Sequence, residues 1–140
     1  MGLGEEGWTV EFVDGMGNLR DAVRSMTAML NRFNRCKVYI GVSDDGGVIG
    51  SGYGEAEVSE VESLIATSMN NRPHAEVSVH NVGERCYILV DAEGYETPYS
   101  FDGWFYIRKC RPETSSGKVV NVWTETPTCS MKRHRKVRLP

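Results

Sequence analysis

The sequence predicts an α+β domain in which two main helices pack on a mixed or antiparallel sheet. Short apolar or alternating runs bounded by Gly, Pro and Asn indicate strands, and two longer stretches have apolar residues at helical spacing. The elements follow the order β, α, β, β, α, β, β, β, which is typical of this class. The chain has 140 residues, 40% hydrophobic and 25% charged, so we expect one soluble domain with a single core.

The first strand and first helix lie in the N-terminal third. Residues 8–13 alternate Trp8, Val10 and Phe12 with Thr9, Glu11 and Val13, which predicts that one face meets the core and that Glu11 points away from it. Asn18 is expected to cap the helix that follows. Its apolar positions recur at spacings of four and three residues and form one stripe: Leu19, Val23, Met26, Leu30 and Phe33.

The second strand and its turn come next. The run CKVYIGV, residues 36–42, predicts a buried strand because it is apolar and rich in β-branched residues. The Asp-Gly step in SDDGGV, residues 43–48, predicts a tight hairpin turn that leads into Val48 and Ile49.

The second half predicts one helix and four strands. Ser59 and Glu62 form the S-x-x-E pattern of a capping box, and NNRP at residues 70–73 ends the helix. The core side of this helix is expected to hold Val61, Leu64, Ile65 and Met69. Alternating or apolar runs predict strands at residues 75–81, 85–92, 103–109 and 118–123.

The charge distribution divides the chain into a body, residues 1–129, and a basic tail, residues 130–140. The tail SMKRHRKVRLP holds five of the sixteen Lys and Arg residues and no acid. Eleven basic and nineteen acidic residues remain, so the body has a net charge of −8 against −3 for the whole chain. Basic arms bind nucleic-acid phosphates without regard to sequence, although a solvated tail or a subunit contact is an equal alternative.

Several functional classes have no support in the sequence. No apolar run approaches the ~20 residues that cross a bilayer, and the N-terminus lacks the pattern of a signal peptide, so a cytoplasmic or nuclear location is expected. The four cysteines have no C-x-x-C pair, which predicts reduced thiols. The phosphate-binding pattern G-x-x-x-x-G-K-[ST] does not occur, and no internal repeat is visible.

The order of these motifs resembles the AlbA-2 domain, the building block of the Schlafen family. The resemblance covers about residues 5–110. Its most specific piece is IGVSDDGGVIG at residues 40–50, and PYSFDGWFYIRK at residues 98–109 supports it at the appropriate distance. The resemblance implies a Schlafen-like lobe of the predicted α+β class.

The resemblance also implies a catalytic site. Schlafen nucleases are metal-dependent endoribonucleases that cleave tRNA-like or other structured RNA with three carboxylates, and the matching positions here are Glu6, Glu11 and Asp44. These carboxylates would hold Mg²⁺ or Mn²⁺, since hard cations prefer oxygen ligands, neutralise phosphate charge and activate water. Taken singly, Glu6 is expected to be a solvated acid and Asp44 a turn former.

Basic residues near and beyond the matched motifs are candidates for phosphate contacts. Val13 stands where many AlbA-2 domains have Lys, and RFNRC at residues 32–36 replaces a glycine pair, so Arg35 and Lys37 could supply the missing positive charge. The other candidate nucleic-acid-binding residues are Arg108, Lys109, Arg111, Lys132, Arg133, Arg135 and Lys136.

The resemblance further implies a partner. Schlafen nuclease cores resemble two such lobes facing each other across a positively charged groove, so a single lobe is expected to form a homodimer or a heteromer with a related chain. The alternative is a non-catalytic subunit that binds nucleic acid or scaffolds a Schlafen-like complex. A structural zinc site is a further alternative, with Cys86 or His80 joining three later residues: Cys110, Cys129 and His134.

Overall fold

The computed structural model describes residues 9–106 and the backbone of Thr126–Pro127. These residues form two helices, a four-stranded mixed sheet and a small second sheet, which confirms the predicted α+β class. The helices are α1, Leu19–Phe33, and α2, Glu55–Ser68. The strands are β1 Val10–Val13, β2 Arg35–Ile40, β3 His74–Val82, β4 Arg85–Glu93, β5 Ser100–Phe101, β6 Trp104–Phe105 and β7 Thr126–Pro127.

The main sheet has the strand order β1-β2-β4-β3. β1 runs parallel to β2, which is possible because α1 forms the crossover between them. β4 pairs antiparallel with both β2 and β3. The strands predicted at residues 75–81 and 85–92 are therefore confirmed and form a hairpin, and Gly83, at φ +63°, takes the left-handed conformation in its turn.

Helix α1 follows its predicted apolar stripe. Leu19, Val23, Met26 and Leu30 are all buried, which confirms the predicted core side of this helix. Asn18 occupies the N-cap position, but its side chain makes no capping hydrogen bond there.

Helix α2 begins one turn earlier than predicted. Glu55 is its first residue, and the Gly54 amide donates to Glu57 Oε1 at 2.8 Å. The predicted capping box of Ser59 and Glu62 is therefore wrong, because Glu57 already satisfies a free amide at the true N-terminus. The predicted core side is correct, since Val61, Ile65 and Met69 are buried and Leu64 packs against them half-buried.

The strand predicted at residues 103–109 is described only as far as Tyr106. Within that part, Trp104–Phe105 is a strand, and it pairs with Ser100–Phe101 through the turn at Asp102 and Gly103. Both turn residues have positive φ, 53° and 85°, as a two-residue Asp-Gly hairpin requires. Residues 107–109 and the strand predicted at residues 118–123 lie outside the described residues.

The two faces of the main sheet differ. α1 and α2 pack on one face, where Val13, Val38 and Ile88 join the core cluster. We call the other face the open face. Because side chains alternate between the two faces along each strand, the open face holds the residues directly before and after those that face the helices. They are the apolar and aromatic residues Val10, Phe12, Tyr39, Val82, Tyr87 and Leu89, the cations Arg35, Lys37 and Arg85, the acids Glu76, Asp91 and Glu93, and His74, Ser78 and His80.

The predicted orientation of Glu11 is wrong. Glu11 lies two residues before Val13 on β1, so its side chain is on the helix-packed face, while Phe12 is on the open face. The reason is that apolar residues occur on both faces of this strand. The face that carries Val13 is the one that packs against α1. Within the described residues, no helix is long and apolar enough to cross a membrane.

Candidate functional site

Glu11 lies on the edge strand of the main sheet. Its Cα pairs in register with Val38 on β2, and the residue is half-buried on the side of α1. Two residues, roughly 7 Å at ~3.3 Å per residue, separate Glu11 from Val13 at the carboxyl end of β1. The Val13 carbonyl accepts from the amides of Gly41 at 2.7 Å and Val42 at 3.1 Å. These bonds bring the chain after β2 to the carboxyl end of β1.

The turn after β2 is held by Asp45 and not by Asp44. Asp45 Oδ1 accepts from Ser43 Oγ at 2.5 Å and from the Gly47 amide at 2.9 Å. The Ser43 hydroxyl, and after it the Gly47 amide, lowers the pKa of Asp45 and keeps this carboxylate ionised. A single bridge between Val42 and Val48 closes the loop, so the predicted tight turn forms without a long hairpin.

Asp44 is therefore available for another role. It is exposed, and its carboxylate forms no hydrogen bond or ion pair with any residue in the described part of the chain. The sequence alone did not separate the two aspartates, because either can form an Asx turn. The structure assigns that turn to Asp45 and leaves Asp44 at its tip.

Glu6, the third predicted carboxylate, lies outside the described residues. Across residues 9–106, no three His, Cys, Asp or Glu side chains are grouped closely enough to hold a metal ion. Glu11 and Asp44 are the two described members of the predicted set. A complete site would thus require a ligand from a segment outside this range.

Arg35 and Lys37 lie side by side on the open face of β2. Both are exposed, and within residues 9–106 neither side chain forms a hydrogen bond or ion pair. They line a shallow pocket of about 300 Å³ together with Thr9, Val10 and Asp91. The two cations and Glu11 are consequently on opposite faces of the sheet, at its β1 edge.

The remaining predicted basic residues lie outside the described part of the chain: Arg108, Lys109, Arg111, Lys132, Arg133, Arg135 and Lys136. Of the predicted zinc ligands, Cys110, Cys129 and His134 also lie outside it. Cys86 is buried with a free thiol, and its Sγ accepts from the Tyr53 amide at 3.4 Å. Cys36 is likewise buried, and neither of these two described cysteines is in a disulfide, which confirms reduced thiols for both.

A row of rings on the open face was missed by sequence reasoning. We call Phe12, Tyr39, Tyr87 and His80 the aromatic row. Its successive ring centroids are 5.6, 5.6 and 5.1 Å apart. Burial, with Tyr39 as a second cause, raises the pKa of Tyr87, so its phenol stays neutral near pH 7. Alternation within β2, β3 and β4 could have shown that Tyr39, His80 and Tyr87 face away from the core, but in β1 it placed Phe12 on the core side. Only the register shows that the four rings meet.

Comparisons with known proteins agree with this fold. The family model described as "Schlafen, AlbA_2" matches residues 6–113. Among solved structures, the chain is similar to the DIP2311 protein from Corynebacterium diphtheriae, with a TM-score of 0.56 and 16% identity. That match covers 73% of this chain and 21% of the DIP2311 chain, and its low identity indicates a shared fold only. No curated protein matches. Because the family model covers most of its length, the chain belongs to the Schlafen AlbA_2 family.

Proposed function

We propose that this protein is a divalent-metal-dependent endoribonuclease, or the catalytic subunit of one, that uses Glu6, Glu11 and Asp44. The observation that supports this proposal most is that the two aspartates in the turn after β2 have different surroundings. Asp45 makes the turn's hydrogen bonds, and Asp44 lies exposed at its tip with no hydrogen-bond or ion-pair partner among residues 9–106. The turn meets β1 at the Val13 carbonyl, two residues from Glu11. Asp44, which is predicted to bind metal, is thus held in place by the turn but does not itself stabilise the turn.

The donor atoms suit a hard cation. Glu11 and Asp44 offer carboxylate oxygens, the ligands that Mg²⁺ and Mn²⁺ prefer, and Glu6 would be the third. When bound, such an ion supplies charge neutralisation at the scissile phosphate and a more acidic water. The carbonyl of Thr9, the first described residue before β1, accepts from the Lys37 amide at 2.8 Å, which fixes the start of β1 beside β2.

The protein's basic residues would hold the RNA. Arg35 and Lys37 are exposed without ion-pair partners inside residues 9–106, so they can contact phosphates at no cost in broken ion pairs. The body has a net charge of −8, which opposes RNA binding elsewhere on its surface. We therefore propose that the basic tail and a second lobe, from a homodimer or a heteromer, complete the positive surface.

Cleavage of tRNA and of single-stranded RNA in the presence of Mn²⁺ or Mg²⁺ tests this proposal. We expect Glu11→Gln and Asp44→Asn to reduce the cleavage rate at least ~100-fold, as loss of a catalytic group does. Glu62→Gln, at an exposed position on α2, is the matched control and should cleave normally. Full activity of both site variants would refute the carboxylate assignment.

A second candidate function is a non-catalytic subunit of a larger assembly. The observation that favours it is that the aligned segment makes up only 21% of the DIP2311 chain, so this fold also occurs as a small part of a longer protein. This alternative predicts association with a partner or nucleic acid that is insensitive to EDTA, without any RNA cleavage. Mass photometry with and without EDTA measures it, and a monomer that binds no RNA would exclude it.

A further inference from the structure

We propose that the open face of the main sheet binds single-stranded RNA, with bases stacked at the exposed end of the aromatic row and phosphates on Arg35 and Lys37. This site is separate from the carboxylates, because Glu11 lies on the other face of the sheet. The inference shares with the proposed function the choice of RNA as ligand and the phosphate contacts of Arg35 and Lys37; the aromatic row is new to it. RNA binding to the open face would persist under conditions in which the chain does not cleave RNA.

The aromatic row is graded in exposure. Phe12 is buried at one end, with an exposed fraction of 5%, while Tyr39 and Tyr87 are half-buried and His80 is exposed. The His80 ring stacks on Tyr87 with an interplanar angle of 14°, and Tyr87 is tilted by 48° from Tyr39. Rings anchored on a rigid sheet at one end and accessible at the other provide flat surfaces for base stacking.

The two cations continue this surface along β2. Arg35, Lys37 and Tyr39 are alternate residues of one strand, so they share the open face at a spacing of roughly 7 Å. A strand of RNA that follows β2 would place its phosphates beside Arg35 and Lys37 and its bases over the rings. The charge of the cations is complementary to phosphate, and no described residue already neutralises them through an ion pair.

Acidic residues limit the path of the ligand. Asp91 pairs in register with Lys37, and Glu93 with Arg35, both on β4. These carboxylates repel a phosphate backbone that crosses the sheet towards β3 at that end. The opposite end of the face holds the rings of Tyr39, Tyr87 and His80 and has no carboxylate among the residues paired there. A single strand that runs along β2 fits this pattern better than a wide duplex.

Fluorescence anisotropy of a labelled single-stranded RNA of about twelve nucleotides, measured on the full chain in EDTA, tests the proposal. Tyr87→Phe keeps the ring and should bind like the wild type, whereas Tyr87→Val should bind roughly tenfold more weakly. His80→Ala is a second stacking variant at an exposed position, where folding is not at risk, and it should also bind more weakly. Trp104→Ala, an exposed aromatic in the small sheet, is the control and should have no effect.

The cations are tested by the salt dependence of the same binding reaction. Arg35→Ala with Lys37→Ala should reduce the slope of log Kobs against log salt by about 1.4, or ~0.7 per phosphate contact. Arg72→Ala, an exposed cation after α2, should leave it unchanged.

Unaltered RNA binding in Tyr87→Val, His80→Ala and the Arg35/Lys37 double variant would overturn the inference. If Tyr87→Val instead dissociated a dimer while RNA binding stayed constant, the open face would be an interface between copies of this chain, and the inference would be wrong. Unaltered binding in the Arg35/Lys37 double variant would also remove these two cations from the RNA contacts of the proposed function, but neither result bears on the three carboxylates. Failure of the nuclease proposal would appear only as absent metal-dependent cleavage, so the two failures are distinguishable.

Discussion

The side chains of Asn31, Asn70 and Asn71 hold residues 96–106 in place, and their hydrogen bonds predict a graded loss of stability. Asn31 on α1 makes three. Its Nδ2 donates to the carbonyls of Tyr99 at 2.9 Å and Tyr106 at 2.8 Å, and its Oδ1 accepts from the Tyr99 amide at 2.6 Å. Asn70 makes two hydrogen bonds, to the Pro98 carbonyl and from the Ser100 amide. Asn71 makes one hydrogen bond, to the Glu96 carbonyl at 3.2 Å. The side chain of Asn31 therefore positions the chain that leads into the predicted basic residues after Tyr106.

The expected cost follows from the number and burial of these bonds. At ~1 kcal/mol for each net hydrogen bond, Asn31→Ala should destabilise the fold by about 3 kcal/mol, because two carbonyls and an amide lose a half-buried partner. Asn70→Ala should cost about 1 to 2 kcal/mol. Asn71→Ala should cost about 0.5 kcal/mol or less, since Asn71 is exposed and water replaces its single bond.

Urea unfolding followed by circular dichroism measures this series, with Asn71→Ala as the matched control. Thermal midpoints should fall by about 10 °C for Asn31→Ala, at ~3 to 4 °C per kcal/mol for a chain of this size. In Asn31→Asp, the carboxylate would face the Tyr99 and Tyr106 carbonyls. Its stability should therefore recover as the pH falls, when the protonated group can donate. Equal stability of Asn31→Ala and Asn71→Ala would refute this account.

Three further predictions concern the turn and the core. The pKa of Asp45 is lowered from its ordinary value of 3.8, so its bonds to Ser43 and Gly47 should persist above pH ~4 and be lost as the pH falls through the lowered value; a Gly47 amide shift that titrates near neutral pH would contradict this. Gly50→Ala should destabilise the protein by ~1 to 3 kcal/mol in urea unfolding, because its Cβ would lie 2.6 Å from the Cys86 carbonyl oxygen; an unchanged midpoint would show that the loop shifts freely. The buried thiols of Cys36 and Cys86 should react with a thiol reagent only upon denaturation, and rapid labelling of either in the native protein would contradict their burial.

Local patterns were sufficient for the elements with strong periodicity. The stripe of α1 and the alternation of β3 and β4 predicted elements that the structure confirms, because each pattern has one face that must be buried. The start of α2 was misplaced because Ser59 and Glu62 have capping spacing inside a helix, while Gly54 has no side chain to signal a cap. Sequence motifs of this kind do not show where the preceding loop ends.

The candidate site depends more on tertiary structure. Motif spacing identified Glu11 and Asp44, but only the fold shows that Glu11 is on the helix-packed face and that Asp45 makes the turn. The aromatic row requires the register of four strands, two of them far apart in the sequence. Such long-range pairing is not encoded in any single stretch of residues.

The most direct test of the central claim is paramagnetic broadening of the amide resonances of the ¹⁵N-labelled protein by Mn²⁺. We expect the Glu11 and Asp44 amides to broaden together at low Mn²⁺, and Asp44→Asn to weaken the broadening at both positions. Broadening centred on the open-face acids Asp91 and Glu93, with Glu11 and Asp44 unaffected, would contradict a metal site formed by these carboxylates.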